Sequence, residues 1–267
     1  MPDAHRMMID GNFPGAVFES RQGSAHAANE DFLQAIALPD GSTFLAVYDG
    51  ISTDGTGAQD SERAAFLLRD KLKEKAIQSV AQNREAFFDE LLAWTNRKLY
   101  EWNVARGLAK YSGTTIAAAS VDPGRERLYT IHMGDSRVYL FASGKLHPLT
   151  RDHGRLNQVR RCLAAEMLDV PAEIHTYLWP PREMGPAIKG KSGAGGAFLL
   201  LCSDGLHDLI AGRKAFEDSD FAAQARAIEK IILGNLSDGL PAIATALITA
   251  GVETGKGDDV SVIVFPL

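Results

Sequence analysis

The sequence predicts an α+β protein in which antiparallel strands are layered against paired helices. Strand-like runs follow one another as neighbours and helical stretches come in pairs, whereas a parallel sheet requires strands and helices to alternate. Neither an internal repeat nor a low-complexity linker divides the 267 residues. We therefore expect one domain over residues 1–267, a length that a single domain can reach.

Apolar periodicity predicts the individual elements. Strands are expected near residues 15–20, 31–38, 43–48, 114–121, 127–133, 136–141, 173–179, 197–203 and 260–265. Helices are expected at about 59–79 and 84–106, with a later pair at about 221–233 and 240–250. The segment Asp122-Pro123-Gly124-Arg125 predicts a hairpin turn, and the glycine- and lysine-rich residues 185–196 predict a surface loop.

Composition and charge exclude several classes of protein. Apolar residues make up 45% and charged residues 23%, as in an ordinary folded soluble domain. A net charge of −6 argues against a nucleic-acid partner, which favours a basic surface. The N-terminal residues lack an apolar signal core and no run is long enough to cross a membrane, so we expect a cytoplasmic protein without a membrane partner. The two cysteines, Cys162 and Cys202, predict neither a disulfide framework nor a zinc cluster.

Acidic residues, most of them beside glycine and directly after apolar runs, are the main functional signal. They occur in Asn29-Glu30-Asp31, Val47-Tyr48-Asp49-Gly50, Gly134-Asp135-Ser136, Ser203-Asp204-Gly205 and Gly257-Asp258-Asp259. Each block by itself is also compatible with a simple turn. Unpaired buried carboxylates are costly, however, and several of them at one sheet edge would form a pocket that only cations stabilise. Mg²⁺ and Mn²⁺ prefer such oxygen ligands, so the pattern predicts a metal-dependent enzyme.

The order of these and neighbouring motifs resembles that of the metal-dependent, type 2C protein serine/threonine phosphatases. The further blocks that carry the resemblance are Ser112-Gly113-Thr114-Thr115, the extension of the Gly134 block to Arg137, Leu149-Thr150-Arg151-Asp152-His153, and the extension of the last block to Ser261. Together the blocks span nearly the whole chain. The resemblance implies an αββα sandwich: two antiparallel sheets packed face to face and flanked by paired helices, with metals at one end.

The resemblance also implies roles for the acidic residues at the centre of the site. Asp49 matches the carboxylate that bridges two ions, Mg²⁺ or Mn²⁺, and the backbone carbonyl of Gly50 would bind one of them. Asp204 and Asp258 match ligands of the other ion, so Asp49, Asp204 and Asp258 are the expected catalytic set. Water between two divalent ions loses a proton readily and would attack phosphorus in line.

An outer set of acidic residues follows from the same resemblance. Glu30 and Asp31 would hold water molecules at the second ion. Asp135 matches the acid that supports a weaker third metal in bacterial members, with Asn157 near it. The structural interpretation is preferred for Arg137 and Asp152-His153, namely an internal ion pair and a tied loop.

The chain departs from the family pattern where the substrate would bind. Most members carry an arginine for the substrate phosphate where His26 stands here, and Arg21 lies five residues earlier. His26 is therefore the candidate phosphate contact, although a plain surface histidine fits the sequence as well. An imidazole lacks the fixed two-pronged geometry of arginine, so phosphate binding should be weaker.

Two further departures concern the leaving group and the flap. Residues 51–55 contain no histidine to act as general acid, which leaves a coordinated water or another acid such as Asp54. After His153 the flap subdomain of bacterial members is reduced to a few residues, whereas residues 185–196 form a longer loop. Because flaps shape access to a site, the substrate preference should differ.

The function expected from the resemblance is a phosphatase that acts on phosphoserine and phosphothreonine in proteins and opposes a protein kinase. Two alternatives stay open at this point. One is a non-catalytic signalling scaffold that kept the fold, and the other is an enzyme for small phosphomonoesters. Retention of the carboxylates favours metal binding, because without metal they would repel one another.

Overall fold

A computed structural model describes residues 6–52, 56–76, 83–107, 112–125, 127–153, 173–178, 196–210, 218–254 and 257–267. The strands in these ranges are β1 (Met7–Asp10), β2 (Val17–Arg21), β3 (Asp31–Ala37), β4 (Thr43–Ser52), β5 (Ser112–Thr114), β6 (Ile116–Asp122), β7 (Arg127–Met133), β8 (Arg137–Ala142), β9 (Lys145–Pro148), β10 (Glu173–Leu178), β11 (Phe198–Cys202) and β12 (Val260–Pro266). The helices are α1 (Gly57–Ala76), α2 (Arg84–Ala105), α3 (Asp204–Ile210), α4 (Asp218–Asn235) and α5 (Leu240–Glu253), with short 3₁₀ turns at Pro123–Arg125 and Leu236–Asp238.

The described strands form two sheets. The first has the order β1-β3-β4-β6-β7-β10, with β5 paired to the end of β4, and the second has the order β2-β12-β11-β8-β9. Neighbouring strands are antiparallel, as the sequence predicts, except that the edge strand β1 runs parallel to β3.

Three apolar layers hold the sandwich together. Alternate residues of each strand point to opposite faces, so each sheet contributes to two layers. The inner faces meet in a layer that includes Leu45, Val47, Leu199 and Ile263. The outer face of the first sheet packs on α1 and α2, and that of the second sheet on the helices after β11. The predicted αββα sandwich is therefore confirmed.

Short elements are the ones that the sequence analysis misses. Strands β1, β5 and β9 have only three or four residues, too few for a clear period. Helix α3 begins at Asp204, where the acid-glycine pair suggested a turn. The predicted hairpin turn at residues 122–125 is confirmed, because β6 and β7 pair directly across it. The predicted loop at 185–196 and the shortened flap lie outside the described residues, apart from Gly196.

The segment Gly134-Asp135-Ser136 is not a hairpin turn. It joins β7 of the first sheet to β8 of the second, so the chain crosses from one layer to the other at Asp135. Gly134 permits the crossing with φ of +114°, and a Cβ there would lie 2.7 Å from the Cβ of Thr115. Among the described helices, none is long and apolar enough to cross a membrane.

Candidate metal centre

The antiparallel pairing of β3 and β4 brings the first two acidic blocks together. Asp31 lies directly opposite Asp49 in the register of the two strands. The backbone of Asp49 is fixed by the next block: its carbonyl accepts hydrogen bonds from the Thr115 N–H at 2.8 Å and the Thr114 hydroxyl at 2.9 Å. The Asp49 N–H in turn donates to Thr115 Oγ1 at 3.2 Å. These threonines therefore hold Asp49 at the sheet edge.

Asp135 and Asp204 reach the same edge from the second sheet. Asp135 lies in the crossing after β7, and Asp204 begins α3 directly after β11. One carboxylate oxygen from each of Asp49, Asp135 and Asp204 lies within 4.8 Å of the others. His207 on α3 contacts the backbone carbonyl of Asp135 with Nε2 at 2.9 Å, which ties the crossing to the helix.

Glu30 and Asp258 complete the acidic cluster. Glu30 is buried, and its backbone carbonyl accepts a hydrogen bond from the Gly50 N–H at 3.2 Å. Asp258 precedes β12 and keeps 38% of its side chain exposed. One of its oxygens accepts the backbone N–H of Asp259 at 3.0 Å. Asp258 is thus a solvent-accessible member of the acidic cluster.

The acidic groups raise one another's proton affinity. Burial raises the pKa of the Asp49 carboxyl well above its ordinary value, and the charges of Asp204, Asp31, Asp258 and Asp135 raise it further. Burial likewise raises the pKa of Asp31, with a smaller contribution from Asp259. For Asp258, burial and the charge of Asp204 raise the pKa to about 6. Without a cation, this cluster would bind protons near neutral pH.

The donor set fits hard divalent cations. Ser203 Oγ donates a hydrogen bond to Asp31 Oδ2 at 2.7 Å, whereas the buried Asp31 Oδ1 has no hydrogen-bond partner among the described residues. A buried carboxylate oxygen normally has a partner. Carboxylate oxygens and a backbone carbonyl are the ligands that Mg²⁺ and Mn²⁺ prefer. The residues present therefore suit such ions.

Glycines allow backbones to meet at this site. A Cβ on Gly50 would lie 2.3 Å from the carbonyl oxygen of Gly57, and a Cβ on Gly57 would lie 2.8 Å from Glu30 Oε2. A Cβ on Gly205 would lie 1.9 Å from the carbonyl oxygen of Asp259. A side chain at any of these positions would separate the chain segments that carry the acidic residues.

His26 lies beside the acidic cluster, on the segment that leads into β3. Its Nδ1 is 2.9 Å from Asp259 Oδ2 and 3.8 Å from Asp258 Oδ1, and a third of the side chain is exposed. Burial lowers the pKa of His26, but the hydrogen bond to Asp259 and the charges of Asp259, Asp258 and Glu30 outweigh it and raise the pKa overall. The surroundings thus favour the imidazolium form.

The structural interpretation of Arg137 and Asp152-His153, an internal ion pair and a tied loop, is confirmed. The buried guanidinium of Arg137 donates to both oxygens of Asp152, at 2.7 and 2.6 Å. His153 Nδ1 accepts the N–H of Gly134 at 3.1 Å, which ties the loop to the crossing. Cys202 is fully buried, and burial raises the pKa of its thiol to about 12, so it is no nucleophile.

Sequence reasoning misses the groups that position the acidic residues. From the sequence, Asp259 is only the second member of an acidic pair, and Ser203 and Thr115 are only members of motifs. Their hydrogen bonds are not predicted, because their partners are distant in sequence. Asp54 and Asn157, the other candidates of the sequence analysis, lie outside the described residues. The fold and the cluster together define an all-oxygen site of the kind that binds hard divalent cations.

Comparison with known proteins identifies the family. The pattern of the family described as Protein phosphatase 2C matches residues 16–158, more than half of the chain, so the chain belongs to this family. Protein phosphatase PhpP of Streptococcus pneumoniae is 25% identical over 243 residues, which cover 88% of this chain and 96% of PhpP.

Solved structures have the same fold. The serine/threonine phosphatase of S. agalactiae superposes with a TM-score of 0.71 at 20% identity, covering 94% of this chain and 99% of that one. The catalytic domain of the phosphatase PstP, in complex with two manganese ions, gives 0.65 at 22% identity, covering 93% and 96%. The chain is thus a metal-dependent protein serine/threonine phosphatase.

Proposed function

We propose that the phosphatase uses two Mg²⁺ or Mn²⁺ ions, held by Asp49, the Gly50 carbonyl, Asp204 and Asp258. The observation that supports the pairing of Asp49 with Asp204 most directly is that one carboxylate oxygen of each lies within 4.8 Å of the other and of Asp135. Like charges at that distance need a cation or protons between them. Asp258 is not in this close group, and its place in the proposal rests on its electrostatic interaction with Asp49 and Asp204. The likeness to PstP, whose catalytic domain was solved with two manganese ions, favours the same number here.

Three further acidic residues form the outer set of the proposal. Asp31 and Glu30 would hold water at the second ion, and the unpartnered Asp31 Oδ1 is the atom that supports this role. Asp135 would support a weaker third ion. Its backbone is fixed through His207, so its position does not depend on that ion being bound.

The bound ions would supply a nucleophile at neutral pH, by lowering the pKa of water, and positive charge for the phosphoryl oxygens. The chain's own residues supply the geometry. Thr114 and Thr115 hold Asp49, and Ser203 orients Asp31 by occupying one of its two oxygens. Preorganised ligands of this kind need no rearrangement during the reaction.

His26 is the proposed contact for the substrate phosphate. It lies next to Asp258, whose side chain is partly exposed to solvent. The acidic neighbours favour an imidazolium, which carries N–H donors on both ring nitrogens. One donor is engaged by Asp259 and the other is left for a phosphoryl oxygen.

Phosphoserine and phosphothreonine in proteins are the proposed substrates, and a cytoplasmic protein kinase is the proposed partner in signalling. A phosphate ester on a protein hydroxyl is the product of a kinase, so an enzyme of that class must supply the substrate. Two similar proteins support this substrate class: PhpP is a protein phosphatase, and the S. agalactiae enzyme is a serine/threonine phosphatase.

The test replaces Asp49, Asp204 and Asp258 by asparagine one at a time. Each change removes a charge that would hold an ion, so we expect Mn²⁺-dependent hydrolysis of p-nitrophenyl phosphate to fall by about a thousandfold or more while the circular dichroism spectrum is unchanged. Retained activity in Asp49→Asn would sink the metal assignment. Asp238→Asn, an exposed position, is the matched control.

Calorimetry and substrate comparison separate the alternatives. A non-catalytic scaffold should show no Mn²⁺ site tighter than roughly millimolar, whereas the proposed enzyme should bind more tightly. Phosphopeptides should be hydrolysed with higher kcat/KM than small phosphate esters. The reverse preference would favour an enzyme for small phosphomonoesters.

A further inference from the structure

Two segments next to the metal centre are packed backbone against backbone. Residues 22–30 lead into β3, and residues 257–259 lead into β12. The Ala25 N–H donates to the Gly257 carbonyl at 2.7 Å. A Cβ on Gly23 would lie 2.0 Å from that same oxygen and 2.1 Å from the carbonyl oxygen of Asp258. The segments are therefore too close for a side chain to separate them.

The side chain of Asp259 joins the two segments. Its Oδ1 accepts the Gly23 N–H at 2.7 Å, and its Oδ2 accepts the Glu30 N–H at 2.7 Å and the Nδ1–H of His26 at 2.9 Å. All three donors belong to residues 22–30. The carboxylate is only 2% exposed, so these contacts replace the water it would otherwise bind.

The contact with Asp259 determines how the ring of His26 is presented. Because Nδ1 faces Asp259, Nε2, on the other side of Cε1, points away from that carboxylate, and no described residue forms a hydrogen bond with it. A third of the side chain is exposed, beside the partly exposed Asp258. A histidine whose one nitrogen is held by a buried carboxylate has its ring orientation fixed.

We propose that Asp259 is a positioning residue for substrate binding, which holds the ring of His26 so that Nε2 is available to a phosphate oxygen of the substrate. This inference rests on the proposed function, in which His26 contacts the phosphate. Asparagine cannot replace Asp259 fully, because its amide offers one acceptor oxygen where the carboxylate offers two.

Steady-state kinetics with p-nitrophenyl phosphate at saturating Mn²⁺ test the proposal. We expect Asp259→Asn to raise KM by about tenfold, the usual effect of losing a hydrogen bond to a charged group, with kcat changed by less than about threefold. His26→Ala should raise KM to a similar extent. Asp238→Asn, at an exposed position in the 3₁₀ turn Leu236–Asp238, should leave both constants unchanged.

A double-mutant cycle shows whether Asp259 acts through His26. In the His26→Ala background, Asp259→Asn should add less than about twofold to KM, because the ring it holds is gone. If the two effects multiply, the proposal is wrong. It is equally wrong if Asp259→Asn lowers kcat and Mn²⁺ affinity with KM unchanged, since Asp259 would then act through Glu30 on the metal centre.

Nuclear magnetic resonance of the unmodified chain keeps the test independent of how the variants fold. In protein labelled with ¹⁵N-histidine and with Mg²⁺ present, inorganic phosphate should shift the Nε2 resonance of His26. That resonance is assigned as the one missing from the spectrum of His26→Ala. No shift at saturating phosphate would overturn the proposal. An error in the metal assignment would be detected separately. Activity in the Asp49→Asn variant would contradict the assignment of the ions without bearing on the role of His26.

Discussion

The two ends of the sandwich both bury carboxylates, but they neutralise them differently. At one end, Asp40 before β4 and Asp122 at the end of β6 both contact Arg84 at the start of α2. These three side chains are 3–8% exposed. At the other end, Asp49 closes β4, and the charged groups with the largest effect on its pKa are all carboxylates.

The difference indicates where the protein needs a cation from solution. A buried carboxylate with a fixed arginine is neutralised permanently by the fold, and removing either partner leaves a buried charge. Clustered carboxylates repel one another until cations or protons bind to them. The same strands therefore carry a structural ion pair at one end and an expected metal site at the other.

The largest effect on stability is expected at the end with the arginine. Arg84→Ala leaves Asp40 and Asp122 without their cation, so the free energy of unfolding should fall by about 3–5 kcal/mol in urea titrations of the metal-free protein. Arg69→Ala is the matched control, because Arg69 pairs with Asp70 at an exposed site where about 0–1 kcal/mol is expected. Equal losses in the two variants would contradict the contrast between the ends.

Metal addition should act only at the acidic end. Mn²⁺ at 100 times its dissociation constant should stabilise the protein by about 2.7 kcal/mol, as measured by thermal unfolding with and without chelator. Asp49→Asn should lose this gain, whereas Asp40→Asn should keep it on a lower baseline. A gain that survives in Asp49→Asn would show that the ions bind elsewhere.

The smallest effect is expected in the metal-free protein. Because the folded-state pKa of Asp49 is raised, its contribution is favourable below the unfolded pKa of about 4 and is lost as the pH rises through the folded value. Asp49→Asn should therefore be more stable than the unmodified chain at pH 7, and the difference should shrink towards pH 4. Urea titrations in chelator at both pH values measure this, and a difference independent of pH would contradict it.

The sequence predicted the long strands of the fold but not the short strand that helps to position Asp49. Long apolar runs such as residues 43–48 and 260–265 predicted their strands, because burial of one or both faces imposes a pattern on many residues. Strands of three or four residues, such as β5, were missed for want of length. Yet β5 pairs with the end of β4 and delivers Thr114 to Asp49.

The sequence by itself determined which residues could form the site, since carboxylates after apolar runs must lie at strand ends and repel one another there. Only the tertiary structure decided how they are held. The crossing at Asp135 carries the chain from one sheet to the other. The contacts of Asp259 with Gly23, His26 and Glu30 join segments more than 200 residues apart. Hydrogen bonds between such distant segments leave no periodic trace in the chain, because they depend on how the two sheets pack.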